Sequence, residues 1–229
     1  MAKVFGQIAE YWGEVMLEIN ESNPWIAKLN AGEIDISHYC GALKETYHYA
    51  GNNPQIQAFC TMFFPENERK IIKMFYKHAI SEIGHDLVAL EDLIVLGVNK
   101  QDIINSKPLP ETAALNAYIL YMIQFKHAFY YLGYLFHLEY MPVQTGRATI
   151  EKLVSQGIPK EATKFLEEHS TIDIAHNKMM EVYLDTLIKT EGDLEMVKEG
   201  LYYSARLHTN TLASAFENGE REFCHLKKQ

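Results

Sequence analysis

The chain has 229 residues, 48% of them hydrophobic and 22% charged, with only 7 prolines, a length and composition that exclude a disordered chain and suit one folded domain spanning 1–229. Its formal net charge of -9, without clustered Lys and Arg, argues against nucleic acid as a partner. Cys40, Cys60 and Cys224 form neither a metal-ligand spacing nor a disulfide framework, and the N-terminus lacks the features of a signal peptide, so a reducing, cytoplasmic setting is expected.

Strand patterns are nearly absent, and apolar residues recur at helical period between short Gly, Pro and Asn breaks, which predicts an all-α bundle. Helices are expected at 3–20, 36–62, 66–96, 110–141, 146–156, 160–189 and 192–218, with a short one at 24–29. Gly97 should end the third long helix, and Pro110 should open the fourth. Pro142 and Gly146 are read as ending the fourth. The stretch 113–136 approaches membrane-spanning length, but Asn116, Gln124, Lys126 and His127 interrupt it. It reads as a helix buried in protein, and no membrane partner is expected.

The sharpest chemical pattern is His169-x-x-x-Asp173-x-x-His176, whose offsets of four and seven place all three side chains within about 60° of one helix face. Ala162, Phe165, Leu166, Met180, Tyr183 and Leu187 share that face, so the trio interrupts a core-facing stripe. Glu82 and His85 form a second pair at i, i+3 on the third helix, beside Ile71, Phe75, Ala89 and Leu93. The opposite side of that helix, with Ile72, Tyr76, Ile83, Leu87, Leu90 and Ile94, is also apolar, which suggests packing on both sides. Glu139 ends a stripe of Tyr118, Tyr121, Phe125, Ala128, Leu132 and Leu135. Three histidines and three carboxylates make a mixed N/O set that suits iron or manganese and lacks the thiolates of structural zinc.

Several other polar residues fit plainer roles. His38, His78, His127, His137 and His225 read as ordinary core or surface histidines, with His78 the nearest to the Glu82 stripe. Asp86, Glu91 and Asp92 read as a solvated acidic edge. Glu45 and His48 read as pocket-wall residues rather than ligands, His208 as a residue lining a cavity, and Arg206 as a surface residue.

The series Glu82-x-x-His85, Glu139, then His169-x-x-x-Asp173-x-x-His176, with the phrases EIGHDLVALEDLIVLG and FHLEYMPVQTG, resembles the haem-oxygenase-like diiron oxidases, the group that contains the alkene-forming UndA type. The resemblance covers nearly the whole chain. It implies a haem-oxygenase-like seven-helix bundle, two Fe(II) ions per chain held by Glu82, His85, Glu139, His169, Asp173 and His176, and dioxygen as co-substrate. It also implies a small organic substrate and a homodimer. Within the same superfamily, the TenA thiaminases use a cysteine nucleophile, but the fourth helix of this chain has no cysteine. A PqqC-like enzyme without metal is a further alternative. Haem oxygenase itself fits less well, because the first histidine is His38 and the expected proximal histidine of the first helix is missing. A non-catalytic helical interaction protein is the alternative from a different class.

Overall fold

The computed structural model describes residues 3–228 and is helical throughout its regular structure, with no strand among the described residues. The helices are α1 (Val4–Ser22), α2 (Pro24–Ala31), α3 (Ile36–Cys60), α4 (Arg69–Glu82), α5 (His85–Val95), α6 (Lys100–Ile104), α7 (Pro110–Phe125), α8 (Phe129–Ser155), α9 (Lys164–Leu187) and α10 (Glu191–Glu222). Local chemistry sets many of their ends. Asn23, Asp35 and Thr190 cap α2, α3 and α10 with their side chains, and Pro110 occupies the first turn of α7 as expected. Gly97, at φ 88°, follows the end of α5 in the left-handed conformation that stops a helix.

Three expectations about helix boundaries need correction. The expected helix 66–96 breaks at Ile83 and Gly84, where Gly84 adopts φ 99° and lets the chain change direction between α4 and α5. The expected helix 110–141 breaks at 126–128, where Lys126 leaves helical geometry and the His127 ring accepts the Phe129 amide. Pro142 does not end a helix. α8 runs through it to Ser155, so the expected segment 146–156 is the continuation of α8. α8 packs along both α9 and α10, and Asn177 of α9 donates to the Glu139 carbonyl close to the proline, which holds the helix together across the missing backbone donor.

These breaks change which faces are buried. Tyr76, Ile83, Leu87 and Ile94 are exposed, so α4 and α5 are not packed on both sides. Tyr121 and Phe125 are exposed as well, because they sit on α7, and the stripe that ends at Glu139 belongs to α8 alone. Asp92 is wholly buried rather than solvated. Its carboxylate accepts the Lys164 and Phe165 amides and thereby anchors the start of α9 on α5. The unused amides of a helix N-terminus explain why an acid is tolerated there.

The core has two apolar clusters. One gathers α1, α4, α7, α8, α9 and α10 around Phe75, Tyr131, Tyr134 and Tyr183; the other gathers α2, α3, α5 and the ends of α8, α9 and α10 around Tyr39, Leu93 and Phe216. No helix among the described residues is long and apolar enough to cross a membrane.

α10 holds the bundle together through glycine contacts. A Cβ at Gly133 of α8 would lie 2.1 Å from the Val197 carbonyl, and one at Gly200 would lie 2.2 Å from that of Tyr130. Gly41 and Gly219 make the same close approach between α3 and α10. Backbones this near cannot admit even a methyl group without moving apart. Gly133→Ala should therefore lower stability by about 1–3 kcal/mol or more, read as a fall in Tm. Gly6→Ala, on the open face of α1 where nothing lies within 4 Å, should leave Tm unchanged or raise it by the helix-propensity gain of up to about 1 kcal/mol. Equal Tm values for the two variants would contradict the close-contact account.

Candidate metal centre

Each of the six side chains singled out by sequence lies in one cluster, His85 and His169 half-buried and the rest buried, and a seventh, His78, joins them. Glu82 is the last residue of α4 and His85 the first of α5, so the pair arises from the bend at Gly84 rather than from one continuous helix. His85 Nδ1 lies 3.1 Å from Glu82 Oε2. α8 supplies Glu139. The antiparallel α9 supplies Asp173 and His176, whose Nδ1 lies 2.9 Å from Glu139, 3.3 Å from Asp173 and 3.4 Å from Glu82. His169, two turns before His176, meets His85 edge to face with ring centroids 4.8 Å apart.

His78 was expected to be an ordinary core histidine. Instead its Nε2 lies 3.0 Å from Glu139 Oε1 and 3.8 Å from Glu82 Oε1, and its ring packs on that of His176. It precedes Glu82 by one turn of α4, and that i, i+4 relation is the one trace of its role in the sequence. Only the meeting of α4 with α8 reveals the rest.

Two overlapping donor sets result. His78, Glu82, Glu139 and His176 each offer one atom within 4.8 Å of the others, and so do Glu82, His85 and His169. Glu82 belongs to both. Asp173 lies outside these sets but beside His176.

Neighbouring groups fix how the imidazoles face. The Ser81 hydroxyl donates to the His78 carbonyl, so its oxygen is left to accept from His176 Nε2, while His176 Nδ1 faces the carboxylates and donates to Glu139 Oε2 at 2.9 Å, the proton a cation would displace. His169 Nδ1 donates to the Phe165 carbonyl at 2.8 Å, which leaves Nε2 as the free lone pair of that ring.

Ionisation in the cluster is strongly displaced. Burial would raise the Glu139 carboxyl, but the two imidazoles of His78 and His176 outweigh it and hold Glu139 well below the usual carboxylate range. Burial would lower His176, yet Asp173 and Glu139 beside it raise its pKa. His169 is lowered by burial, while the Glu82 carboxylate raises His85. Asp173 moves the other way from Glu139. Burial, with Glu139 nearby, pushes its carboxyl up to about 9.

The cluster suits a cation. Glu82 Oε1, both Asp173 oxygens, His78 Nδ1 and His85 Nδ1 are buried and make no well-formed hydrogen bond among the described residues, although His85 Nδ1 and Asp173 Oδ1 lie close to Glu82 and His176. Such atoms are rare in folded proteins and are costly unless a ligand satisfies them. Three carboxylates and four imidazoles, with no thiolate, form the N/O set preferred by iron and manganese.

Beside the cluster lies a cavity of about 610 Å³ whose wall includes Glu82, Glu139, His169, Trp12, Tyr49 and His208. Its lining comes from α1, α2, α3, α8, α9 and α10, with Glu82 from the end of α4. His208 does line the cavity as expected. Glu45 is occupied elsewhere, accepting from the Leu109 amide and the Thr112 hydroxyl, and His48 pairs with Ser106. Arg206 pairs with Glu18 at the surface.

Asp173 supplies a pH test. A folded-state carboxyl pKa raised to about 9 means the folded form keeps a proton that the unfolded chain loses near the ordinary value of about 4. Stability must then fall as pH rises between those values. Asp173→Asn removes this burden, so the metal-free variant should melt above the parent protein by a margin that widens from pH 5 to pH 8. A margin that is flat or negative would show that Asp173 is ionised and held by His176.

With the site in view, comparison with known proteins locates the chain. A solved structure from Shewanella denitrificans, described as a domain of unknown function with a heme oxygenase-like fold, is 25% identical and superposes with a TM-score of 0.77, covering 93% of this chain and 90% of that one. A TenA homologue from P. horikoshii is 11% identical, with a TM-score of 0.74 over 94% of this chain and 99% of its own. A CADD-like protein of unknown function from Nostoc punctiforme is 15% identical, with a TM-score of 0.70 over 92% and 97%. Comparison with curated protein sequences returned no match. The fold is thus the haem-oxygenase-like all-α bundle. The profile describing iron-containing redox enzymes matches residues 40–208, the span that carries all seven clustered side chains, and the chain belongs to that family.

Proposed function

We propose that this protein is a non-haem diiron oxidase that uses dioxygen to oxidise a small organic substrate seated in the cavity beside the cluster. The observation that carries this reading is the sharing of Glu82 between two overlapping donor sets, which is the arrangement a carboxylate bridging two cations requires. His78, Glu139 and His176 would complete one ion's set, and His85 and His169 the other's, with Asp173 joining through the side of His176. Two ferrous ions, when bound, supply the electrons and open coordination positions that dioxygen chemistry needs.

The chain's own contribution is to position, shield and neutralise. Ser81 and the Phe165 carbonyl hold His176 Nδ1 and His169 Nε2 inward, so loading would need the loss of the His176 Nδ1 proton but little rotation of either ring. Three carboxylates would offset most of the charge of two divalent ions in a site largely withdrawn from bulk water. Asp173 must give up its proton to serve as a ligand, which makes metal affinity rise with pH. The predominantly apolar cavity shields a reactive oxidant from water and from side reactions.

The cofactor-free alternative with a cysteine nucleophile finds no support. Cys40 and Cys60 are buried, Cys224 is exposed, and none of the three lines the cavity.

Anaerobic titration of the metal-free protein with ferrous iron, counted by chemical analysis, is the deciding experiment. About two ions per chain should bind, and exposure to oxygen should produce an optical change that His176→Ala abolishes. His78→Ala should bind fewer ions than the parent protein, because one donor set would drop to three. Absence of binding, together with identical behaviour in parent and His176→Ala, would sink the proposal.

A further inference from the structure

Away from the carboxylates, three buried residues form a directed hydrogen-bond chain. The Trp12 indole N–H donates to His137 Nδ1 at 3.1 Å, and His137 Nε2 lies 3.1 Å from His208 Nδ1. An indole nitrogen can only donate. His137 must therefore offer a lone pair at Nδ1 and carry its proton on Nε2. That proton goes to His208 Nδ1, so His208 carries its own proton on Nε2. One donor on α1 thus sets the tautomer of a ring on α10 through a ring on α8.

The end of this chain is unmatched. His208 is 1% exposed, lines the same cavity as Glu82, Glu139 and His169, and its Nε2 has no hydrogen-bond partner among the described residues. Tyr49 packs edge-on against the ring, with centroids 5.3 Å apart, while its hydroxyl is engaged by Thr46. A buried N–H left unmade is unfavourable, and such a donor in a ligand-sized apolar cavity is a typical orienting group.

We propose that His208 is the substrate-orienting donor of this cavity, its Nε2–H binding a neutral carbonyl oxygen of a ketone, ester or amide whose apolar body fills the surrounding space. A neutral acceptor is favoured over a carboxylate for three reasons. With Nδ1 already accepting, the ring brings no positive charge. The wall already carries the Glu82 and Glu139 carboxylates. Lys152, the cation on the wall, is engaged by Asn30. In the metal-free protein an anion held by this neutral ring would have no counter-charge at the ring itself. Burial also pushes the His208 pKa down to about 4, in keeping with a neutral ring.

This inference rests on the proposed function only in taking the cavity as the substrate's place, and its test uses metal-free protein, so it stands or falls separately from the iron titration. Three probes of matched shape serve: 4-phenylbutan-2-one, isopentylbenzene and 3-phenylpropanoate. Their affinities are compared in the parent protein, His208→Leu and His208→Gln. The ketone-to-hydrocarbon affinity ratio should fall about fivefold in His208→Leu, the effect of one neutral hydrogen bond, and should be largely restored in His208→Gln, which keeps an N–H donor.

Nitrogen NMR of the parent protein gives a readout that needs no variant. Both His137 and His208 should appear as Nε2–H tautomers, and the ketone should shift the His208 Nε2 resonance while isopentylbenzene leaves it in place. An Nδ1–H or cationic His208, or a ratio unchanged in His208→Leu, would overturn the proposal. So would a His208-dependent preference for 3-phenylpropanoate over the ketone, which would reverse the assigned substrate class.

Discussion

The structure depends on one electrostatic constraint, the enclosure of three carboxylates and four imidazoles where α4, α5, α8 and α9 meet. Carboxylates withdrawn from water are stable only when paired, protonated or bound to a cation. The cluster leans on each of the three. Glu139 is paired with two imidazoles, burial pushes the Asp173 carboxyl pKa up toward the protonated form, and Glu82 keeps one oxygen without a hydrogen-bond partner. The metal-free fold therefore tolerates the cluster through protonation and internal pairing. A cation would replace both, and the proton on Asp173 would be exchanged for it. Stability and loading are thus two aspects of the same set of charges.

The helical framework is arranged to hold that set from several directions. α8 crosses α10 at Gly133 and Gly200, where backbone touches backbone. One turn beyond Gly133 comes His137 and two turns beyond Gly200 comes His208, so the same crossing that sets the helix spacing brings those rings together. Further along α8, Glu139 faces the antiparallel α9, and Asn177 donates to its backbone carbonyl. At the other end of α9, Asp92 grips the first amides of that helix from α5. The position of His169 and His176 is in this way tied to α5 as well as to α8.

What could be read from sequence divides along physical lines. The His169, Asp173 and His176 trio was legible because a single helix places all three residues on one face, and helical geometry needs no tertiary information. The Glu82 and His85 pair was found for an incomplete reason. Its spacing suggested one continuous helix, whereas Gly84 at positive φ bends the chain and turns the two side chains toward each other. His78 could not be identified in this way, since its partners Glu139 and His176 lie 61 and 98 positions away and nothing local distinguishes it from a core histidine. The break at 126–128 and the continuation through Pro142 were missed together. Local propensity marks proline as the stop, while the long helix α8, packed along α9 and α10, runs through it, and the chain gives way instead at Lys126 and His127.

The two polar systems bordering the cavity differ in kind, and the difference follows from what each is connected to. The carboxylate cluster has several ways to place its protons, because His78 and His176 each face more than one acid and Glu82 and Glu139 each face more than one imidazole. Such a set adjusts its charge when a cation arrives. The Trp12, His137 and His208 chain has none of that freedom. It begins at an indole that only donates, it passes through rings that contact no carboxylate within hydrogen-bonding distance, and its direction is determined by its first member. A donor built this way presents the same face whether or not the neighbouring cluster has changed its charge. That constancy suits a group that orients a substrate beside a centre whose own ionisation must vary.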